Sequence, residues 1–210
     1  NCVRAPVGPV IDAGAIDANT TFTDTGEVKI GVDTIRNSDL KSHGLVTMTQ
    51  VLENSLNTGM VFIMRKMGRE VMQDYYHKFG FAKKTGIELQ TEVAGNLDSL
   101  EQPSEIYAAT ASFGQGILVT PLQMAAAYNA IANQGIYIPP YIVQERRYID
   151  GRIEKHQVQE GVEVVSAKTA ATTTAMMVSV VENGHADLAG VNGYYLAGKT
   201  GTAQVARSNG

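Results

Sequence analysis

The residues with the clearest capacity for chemistry lie near the end of the chain, where Leu196–Gln204 reads LAGKTGTAQ. The ammonium group of Lys199 could attract an anionic ligand, and the hydroxyls of Thr200 and Thr202 could donate hydrogen bonds to a carboxylate. Gly201 lies between the two threonines and, without a side chain, allows a ligand backbone to approach closely. The same string is also typical of a strand that ends in a turn, so it indicates a site only in combination with other residues.

A second candidate lies far upstream, where Ser55 and Asn57 interrupt a helical pattern. The apolar spacing before residue 53 predicts one helix, and the apolar run at residues 60–64 predicts another. Between them, Asn54–Gly59 reads NSLNTG, which favours a turn. The combination of this interrupted helix pair with a lysine on a later strand favours a functional interpretation over two unrelated turns.

The remaining pattern predicts an α+β fold, with helices clustered centrally and strands towards both ends rather than a regular alternation. Further helices are predicted over Arg69–Lys78, Ser104–Ala109, Leu122–Asn133 and Ser166–Val181. The third of these has a strong start signal, because Thr120 can cap it and Pro121 suits the first helical position. A β-hairpin is predicted within Tyr141–Val165, with its turn at Asp150-Gly151, and a strand is predicted to begin at Tyr194 and to carry Lys199.

Composition excludes several classes of function. The 210 residues carry a net charge of -4 at a pI near 5.6, and no basic block accompanies the aromatic residues, so we expect no nucleic-acid partner. Cys2 is the only cysteine, and the four histidines share no ligand spacing, so we expect no metal site and no cofactor. No apolar run approaches the ~20 residues of a membrane-spanning helix.

Ten short blocks, in order along the chain, resemble the transpeptidase domain of a class B penicillin-binding protein. They are Ala13–Ile16, Asn19–Thr21, Ile35–Asn37, Val51–Gly59, Phe79–Phe81, Thr85–Ile87, Ala111–Gly116, Thr120–Gln123, Val180–Gly184 and Ala197–Gln204. The resemblance runs from about residue 11 to residue 205, and residues 1–10 are atypical. It implies one partial transpeptidase domain over residues 1–210, truncated at both ends.

The fold implied by this resemblance is that of serine β-lactamases and D,D-peptidases, an antiparallel sheet flanked by helices, incomplete in this chain. Lys199 would lie on the third of five strands. The implied activity is that of a peptidoglycan D,D-transpeptidase, which binds penicillin-like β-lactams and stem peptides ending in D-Ala-D-Ala and cross-links the cell wall through a serine acyl-enzyme.

The resemblance also implies roles for individual residues. Ser55 would hydrogen-bond within a lysine–serine proton relay, and Asn57 would hold the amide of the incoming peptide and orient the catalytic lysine. Lys199 would supply positive charge that keeps a neighbouring proton carrier poised and attracts the terminal carboxylate. The hydroxyls of Thr200 and Thr202 would bind the terminal carboxylate, and the Thr202 N–H would be an oxyanion donor. Gly201 would let the acyl donor lie along the strand edge.

The nucleophile that such an enzyme requires is not identified in the sequence. The family places a Ser-x-x-Lys pair on a helix that would here occupy Arg4–Asp12, a stretch without serine or lysine and with two prolines, which oppose a helix. Ser38-Asp39-Leu40-Lys41 matches the string but lies in a turn-like region, so we interpret it as a decoy. Three explanations are possible. The nucleophile segment was lost through a partial or miscalled reading frame, it exists in the parent protein but is absent from this chain, or the protein is a pseudoenzyme. We expect this chain alone to be inactive.

Two alternatives to the transpeptidase remain open. A non-catalytic scaffold or pseudoenzyme of the cell-wall machinery would explain the missing nucleophile. A β-lactamase or β-lactam sensor would share the chemistry, although Glu88 and Glu92 lie outside the motif context of a hydrolytic glutamate. The resemblance further implies an extracytoplasmic location at the bacterial cytoplasmic membrane, an anchor that is not in this chain, and membrane proteins of cell-wall synthesis as partners.

Overall fold

The computed structural model describes residues 7–201 of the chain. Its seven α-helices within that range are α1 (Val7–Asp12), α2 (Met48–Glu53), α3 (Asn57–Met67), α4 (Arg69–Lys78), α5 (Glu105–Ser112), α6 (Pro121–Ala132) and α7 (Ala167–Asn183). Two 3-10 helices span Asp98–Glu101 and Asp187–Ala189. None of these helices combines the length and the apolar character needed to cross a lipid bilayer.

Eight short strands accompany the helices: β1 (Thr21–Asp24), β2 (Glu27–Ile30), β3 (Asp33–Arg36), β4 (Gly44–Thr47), β5 (Ile136–Tyr137), β6 (Glu145–Arg147), β7 (Ile153–Lys155) and β8 (Val162–Glu163). They pair antiparallel as β1 with β4, β2 with β3, β5 with β8 and β6 with β7. The predicted α+β class is confirmed, and the β6–β7 pair forms the predicted hairpin.

The strand predicted from Tyr194 is not present among the described residues. Val191 and Tyr194 form one isolated antiparallel bridge, and residues 195–201 adopt no regular secondary structure. A strand requires a neighbour to pair its N–H and C=O groups, and no strand between residues 7 and 201 runs beside this segment. Tyr194 and Tyr195 consequently remain 72% and 82% exposed.

The core is built around α3, whose side chains Met60, Val61 and Ile63 are fully buried. Helix α2 packs across the start of α3 at a position where a side chain would not fit. A Cβ atom on Gly59 would lie 2.5 Å from Cγ1 of Val51, so glycine permits the close approach of the two helices. This packing fixes the short connection between α2 and α3, which contains Ser55.

Most helix boundaries follow the sequence pattern, with two exceptions. Helix α3 begins at Asn57, three residues before the predicted start, so the interruption is confined to residues 54–56. Helix α1 forms despite its proline, contrary to the expectation that prolines oppose a helix there. Pro9 lies within the six described residues of α1 and is buried there. Pro6 lies outside the described residues.

Candidate active site

Three of the predicted site residues meet where the loop between α2 and α3 faces the segment that follows residue 198. The Lys199 ammonium group donates hydrogen bonds to Ser55 Oγ and, over 2.8 Å, to Thr200 Oγ1. The two hydroxyl oxygens lie 3.2 Å apart, within hydrogen-bonding distance of each other. A cation and two hydroxyls therefore share one small cluster, although Ser55 and Lys199 are 144 residues apart in the sequence.

The backbone of Ser55 adopts the left-handed conformation, with φ of 54°. This conformation costs a residue with a Cβ atom roughly 1–2 kcal/mol, so the surrounding structure must hold it in place. The Ser55 N–H bonds the Leu52 carbonyl, the Leu56 N–H bonds the Val51 carbonyl, and the Leu56 side chain is fully buried. Strain of this kind is often retained at functional sites, where it aims a side chain in a direction that regular structure does not offer.

Helix α7 brings the two halves of the cluster together. The Gly198 N–H donates to the Met177 carbonyl over 3.2 Å, which places the lysine segment against the last turns of the helix. Two residues further along α7, the Ser179 hydroxyl donates to Oε1 of Glu53 over 2.5 Å, which holds the end of α2. The same helix thus sets the separation between Lys199 and the loop that carries Ser55.

The segment after α7 reinforces this arrangement at Glu53. The His185 N–H donates to the Glu53 carbonyl over 3.2 Å. A Cβ atom on Gly184 would lie 2.7 Å from the same carbonyl oxygen, so the chain can pass only without a side chain there. Glu53, Ser179 and Gly184 were not identified as site residues from the sequence, because nothing in their spacing indicates that they contact one another.

Asn57 occupies the first position of α3, and its carboxamide donates to the Arg36 carbonyl over 2.9 Å. Its side chain is thereby tied to the end of β3. Gly201 is the last described residue and is exposed to solvent, and its predicted role stays a prediction. Thr202 lies outside the described residues, so its predicted roles stay predictions.

The Ser38–Lys41 string lies in a turn, and Leu40 within it has a left-handed backbone with φ of 59°. The Lys41 N–H bonds the Asp39 carboxylate, a local contact typical of such turns. A serine and a lysine three residues apart face the same way on a helix, which this segment does not form.

Glu88 and Glu92, which a β-lactamase interpretation would consider as catalytic residues, instead form hydrogen bonds that stabilise their loops. Glu92 accepts hydrogen bonds from the Thr85 hydroxyl and N–H, both at 2.6 Å, and these contacts lower the pKa of its carboxyl group. Glu88 accepts the Ile142 N–H over 3.1 Å, which likewise lowers its pKa. Both carboxylates have a local structural explanation.

An apolar pocket of about 60 Å³, partly open to solvent, adjoins the cluster. Lys199 is among its lining residues, and the others come mainly from α6, α7 and the segment after α4, including Phe79, Phe81, Met124 and Met177. The stem of a lysine can lie along such apolar surface while its ammonium group reaches polar partners. Within residues 7–201, no group of three or more His, Cys, Asp or Glu side chains could hold a metal ion.

The arrangement supports two kinds of chemistry. A lysine ammonium group beside two hydroxyls can bind a carboxylate by charge-assisted hydrogen bonds. The contact between Lys199 and Ser55 also provides a path along which a proton could pass between an amine and a hydroxyl.

The sequence of this chain is similar to penicillin-binding proteins. The family model described as the penicillin binding protein transpeptidase domain matches residues 6–210. Stage V sporulation protein D of Bacillus subtilis is 38% identical over 187 residues, covering 87% of this chain and 29% of that protein. A probable peptidoglycan D,D-transpeptidase PenA of Neisseria meningitidis is 30% identical over 200 residues, covering 94% of this chain and 32% of that protein.

The described fold also matches solved structures closely. The crystal structure of penicillin binding protein 3 from Mycobacterium tuberculosis superposes with a TM-score of 0.90 at 33% identity, covering 98% of this chain and 48% of that one. The same protein complexed with ampicillin gives the same TM-score and identity, with 47% of that chain covered. This chain thus spans about a third of the length of the curated relatives and about half of the solved chains.

Proposed function

Since this chain belongs to the penicillin-binding protein transpeptidase family, we propose that its Ser55–Lys199–Thr200 cluster is the substrate-binding centre of a peptidoglycan D,D-transpeptidase. The observation that carries the proposal is the pair of hydrogen bonds from the Lys199 ammonium group to both hydroxyls. The ligands are stem peptides ending in D-Ala-D-Ala and the β-lactams that resemble them.

Each residue of the cluster has a specific task in this proposal. Lys199 and the Thr200 hydroxyl bind the terminal carboxylate of the peptide, and Thr202 adds a second hydroxyl and an oxyanion donor. Gly201 leaves room for the peptide backbone beside the chain. Ser55 passes the proton taken from the nucleophile by the lysine of the Ser-x-x-Lys pair on to the leaving amine, and the positive charge of Lys199 keeps the Ser55 hydroxyl poised for this transfer. Asn57 holds the amide of the incoming peptide.

The serine nucleophile belongs to the proposal as well. The only Ser-x-x-Lys string in the sequence is Ser38–Lys41, and its turn conformation does not suit a nucleophile and base that must face each other. We therefore expect the 210 residues to bind ligand without forming an acyl-enzyme. In the intact protein, a Ser-x-x-Lys pair elsewhere would supply the nucleophile.

Binding and acylation are tested separately on the same 210-residue chain. The ¹⁵N-labelled chain is titrated with a peptide ending in D-Ala-D-Ala and, as a control, with the same peptide ending in L-Ala-L-Ala. The D-peptide should shift the amide signals of Ser55 and Thr200, and Lys199→Gln should abolish the shift. Lys168→Gln provides the matched control, because Lys168 is an exposed lysine at the other end of α7. Equal shifts with the two peptides would contradict the proposed specificity.

Covalent chemistry is followed by intact mass after incubation with a fluorescent penicillin. We expect no mass increase. An adduct mapped to Ser38 would overturn the interpretation of that serine as a decoy. Sustained turnover of a chromogenic cephalosporin would replace the transpeptidase by a β-lactamase.

Location and protein partners follow from the family alone. We propose that the intact protein acts on the outer face of the cytoplasmic membrane with other membrane proteins of cell-wall synthesis. Fractionation of cells that carry an epitope-tagged full-length gene product tests the location, and recovery in the cytosolic fraction would contradict it.

A further inference from the structure

Three polar side chains outside the cluster are almost completely buried and contact one another. Asp24 at the end of β1, Asn37 just after β3 and Thr58 at the second position of α3 are 1%, 2% and 0% exposed. The Thr58 hydroxyl donates to Asp24 Oδ1 over 2.7 Å, and the Asn37 carboxamide donates to Asp24 Oδ2 over 2.9 Å. Burying a carboxylate is costly unless its oxygens are fully bonded, so this group requires an explanation.

The carboxylate of Asp24 meets that requirement with backbone donors as well. The Gly26 N–H bonds Oδ1 and the His43 N–H bonds Oδ2, both over 2.9 Å. Each oxygen therefore accepts two hydrogen bonds, one from a side chain and one from the backbone. A neutral carboxamide at this position would turn an NH₂ group towards two donors, so the site specifically suits an acceptor with two equivalent oxygens.

The network also compensates for a deficiency at the start of α3. The residue that precedes the helix is Leu56, whose side chain cannot cap the unpaired N–H groups of the first turn. Asn37 provides the missing cap from 21 residues away, because its Oδ1 accepts the Thr58 N–H over 3.2 Å. The first turn of α3 is thus held by the ends of two strands rather than by its own sequence.

We propose that Asp24, Asn37 and Thr58 are positioning residues that fix the first turn of α3 and thereby aim the Asn57 carboxamide. The link is direct, because Asn57 immediately precedes Thr58 and its side chain bonds Arg36, the residue that immediately precedes Asn37. Two adjacent residues of α3 are therefore tied to two adjacent residues at the end of β3. The significance of Asn57 for peptide binding rests on the proposed function, but the positioning itself does not.

The first experiment uses the unmodified chain and measures amide hydrogen exchange. The Thr58 N–H occupies the second position of its helix, as does the Leu122 N–H in α6, which none of the described residues accepts. If Asn37 caps Thr58, the protection factor of Thr58 should exceed that of Leu122 by about tenfold or more. Similar protection factors at the two positions would overturn the proposal without requiring any variant to fold.

The second experiment compares Thr58→Val, which keeps the shape but removes the hydroxyl, with Thr58→Ser, which keeps the hydroxyl. The readout is the ¹³C signal of the Arg36 carbonyl, which is remote from residue 58 in the sequence and reports the Asn57 hydrogen bond. Asn57→Ala supplies the reference position of that signal without the bond. Thr58→Val should move the signal towards this reference, and Thr58→Ser should leave it in place.

Thr173→Val is the matched control, since Thr173 is also buried but its hydroxyl has no hydrogen-bond partner among the described residues. It should leave the Arg36 signal unchanged. An unchanged Arg36 signal in Thr58→Val would overturn the positioning role. If the signal responds as expected but no D-Ala-D-Ala peptide binds the unmodified chain, the positioning role stands and the proposed function fails.

Discussion

Lys199 and Thr200 are neighbours in the sequence, and the ammonium group of the first donates a 2.8 Å hydrogen bond to the hydroxyl of the second. This contact folds the lysine side chain back along its own segment, so that the charge lies beside Ser55 rather than extending into solvent. The hydroxyl of Thr200 is therefore both a proposed ligand contact and an anchor for the lysine.

Replacing Thr200 by valine should weaken binding of a D-Ala-D-Ala peptide by about tenfold, because one hydrogen bond to a charged group is lost at the carboxylate and another at Lys199. Thr200→Ser retains the hydroxyl and should bind within about twofold of the unmodified chain. Affinities are measured by titration calorimetry. Equal weakening by valine and serine would contradict this role of the hydroxyl, because serine keeps the hydroxyl and loses only the methyl group.

The left-handed backbone of Ser55 makes a separate prediction about stability. Ser55→Gly and Ser55→Ala both remove the hydroxyl, but only glycine adopts a φ of 54° without strain. The glycine variant should therefore exceed the alanine variant by about 1 kcal/mol in free energy of unfolding, measured with urea.

Ala82→Gly is the control for this comparison, because Ala82 also has a positive φ, of 59°, outside the cluster. It should be stabilising or neutral for the same reason. An alanine variant at position 55 as stable as the glycine variant would contradict the left-handed conformation of that residue.

Replacing Gly184 by alanine should also destabilise the protein, in this case through a steric clash. Its backbone lies in an ordinary extended region, with φ of -114°, so an added side chain causes no backbone strain. Gly184→Ala would place Cβ 2.7 Å from the Glu53 carbonyl oxygen and should destabilise the protein by about 1–3 kcal/mol. The urea midpoint reports the loss, and weaker peptide binding should accompany it because Glu53 precedes the Ser55 loop.

Gly190→Ala is the matched control, with a nearest atom at 3.1 Å and a similarly unstrained backbone. Its effect should be clearly smaller. A Gly184→Ala variant of unchanged stability would mean that α7 does not set the position of the α2 end.

The local elements could be predicted from the sequence because their signals are local. Helix α4 has the predicted limits, and α6 and α7 begin at the predicted caps, Thr120 and Ser166. The secondary structure of the segment that carries Lys199 could not be predicted in this way. A strand forms only beside a neighbouring strand, and the residues of the segment do not show whether one is present. The start of α3 was missed for a similar reason, because its cap comes from Asn37 and not from the preceding residue.

The same distinction applies to the candidate site. Ser55, Lys199 and Thr200 were identified from motif resemblance, and the fold brings them together. The supporting contacts of Glu53 with Ser179 and of Asp24 with Thr58 join residues that are distant in the sequence and carry no motif. Such pairs become visible only when the packing of α7 and α3 is known.

A last prediction concerns the pH dependence of stability, which should report the contact between α1, α4 and α7. Burial acts to raise the pKa of Asp12, but hydrogen bonds from the Ser166 N–H and the Tyr75 hydroxyl outweigh it and lower the pKa. Burial, and then the hydrogen bond and negative charge of Asp12, raise the pKa of Tyr75 to about 12. The two groups therefore act at opposite ends of the pH range.

A carboxyl group with a lowered pKa stabilises the folded state above its unfolded pKa of about 3.9, and this contribution is lost as the pH falls through the folded value. A tyrosine with a raised pKa stabilises it below its unfolded value of about 10, and this contribution is lost as the pH rises towards 12. Urea unfolding across the pH range should thus show Asp12→Asn differing from the unmodified chain at neutral pH and converging with it in acid. Tyr75→Phe should instead remove part of the decline between pH 10 and pH 12. Protonation in acid removes the charge of Asp12, so any stabilisation by that charge must disappear there. If Asp12→Asn and the unmodified chain instead differ by the same free energy of unfolding down to acid pH, the charge of Asp12 does not stabilise the start of α7.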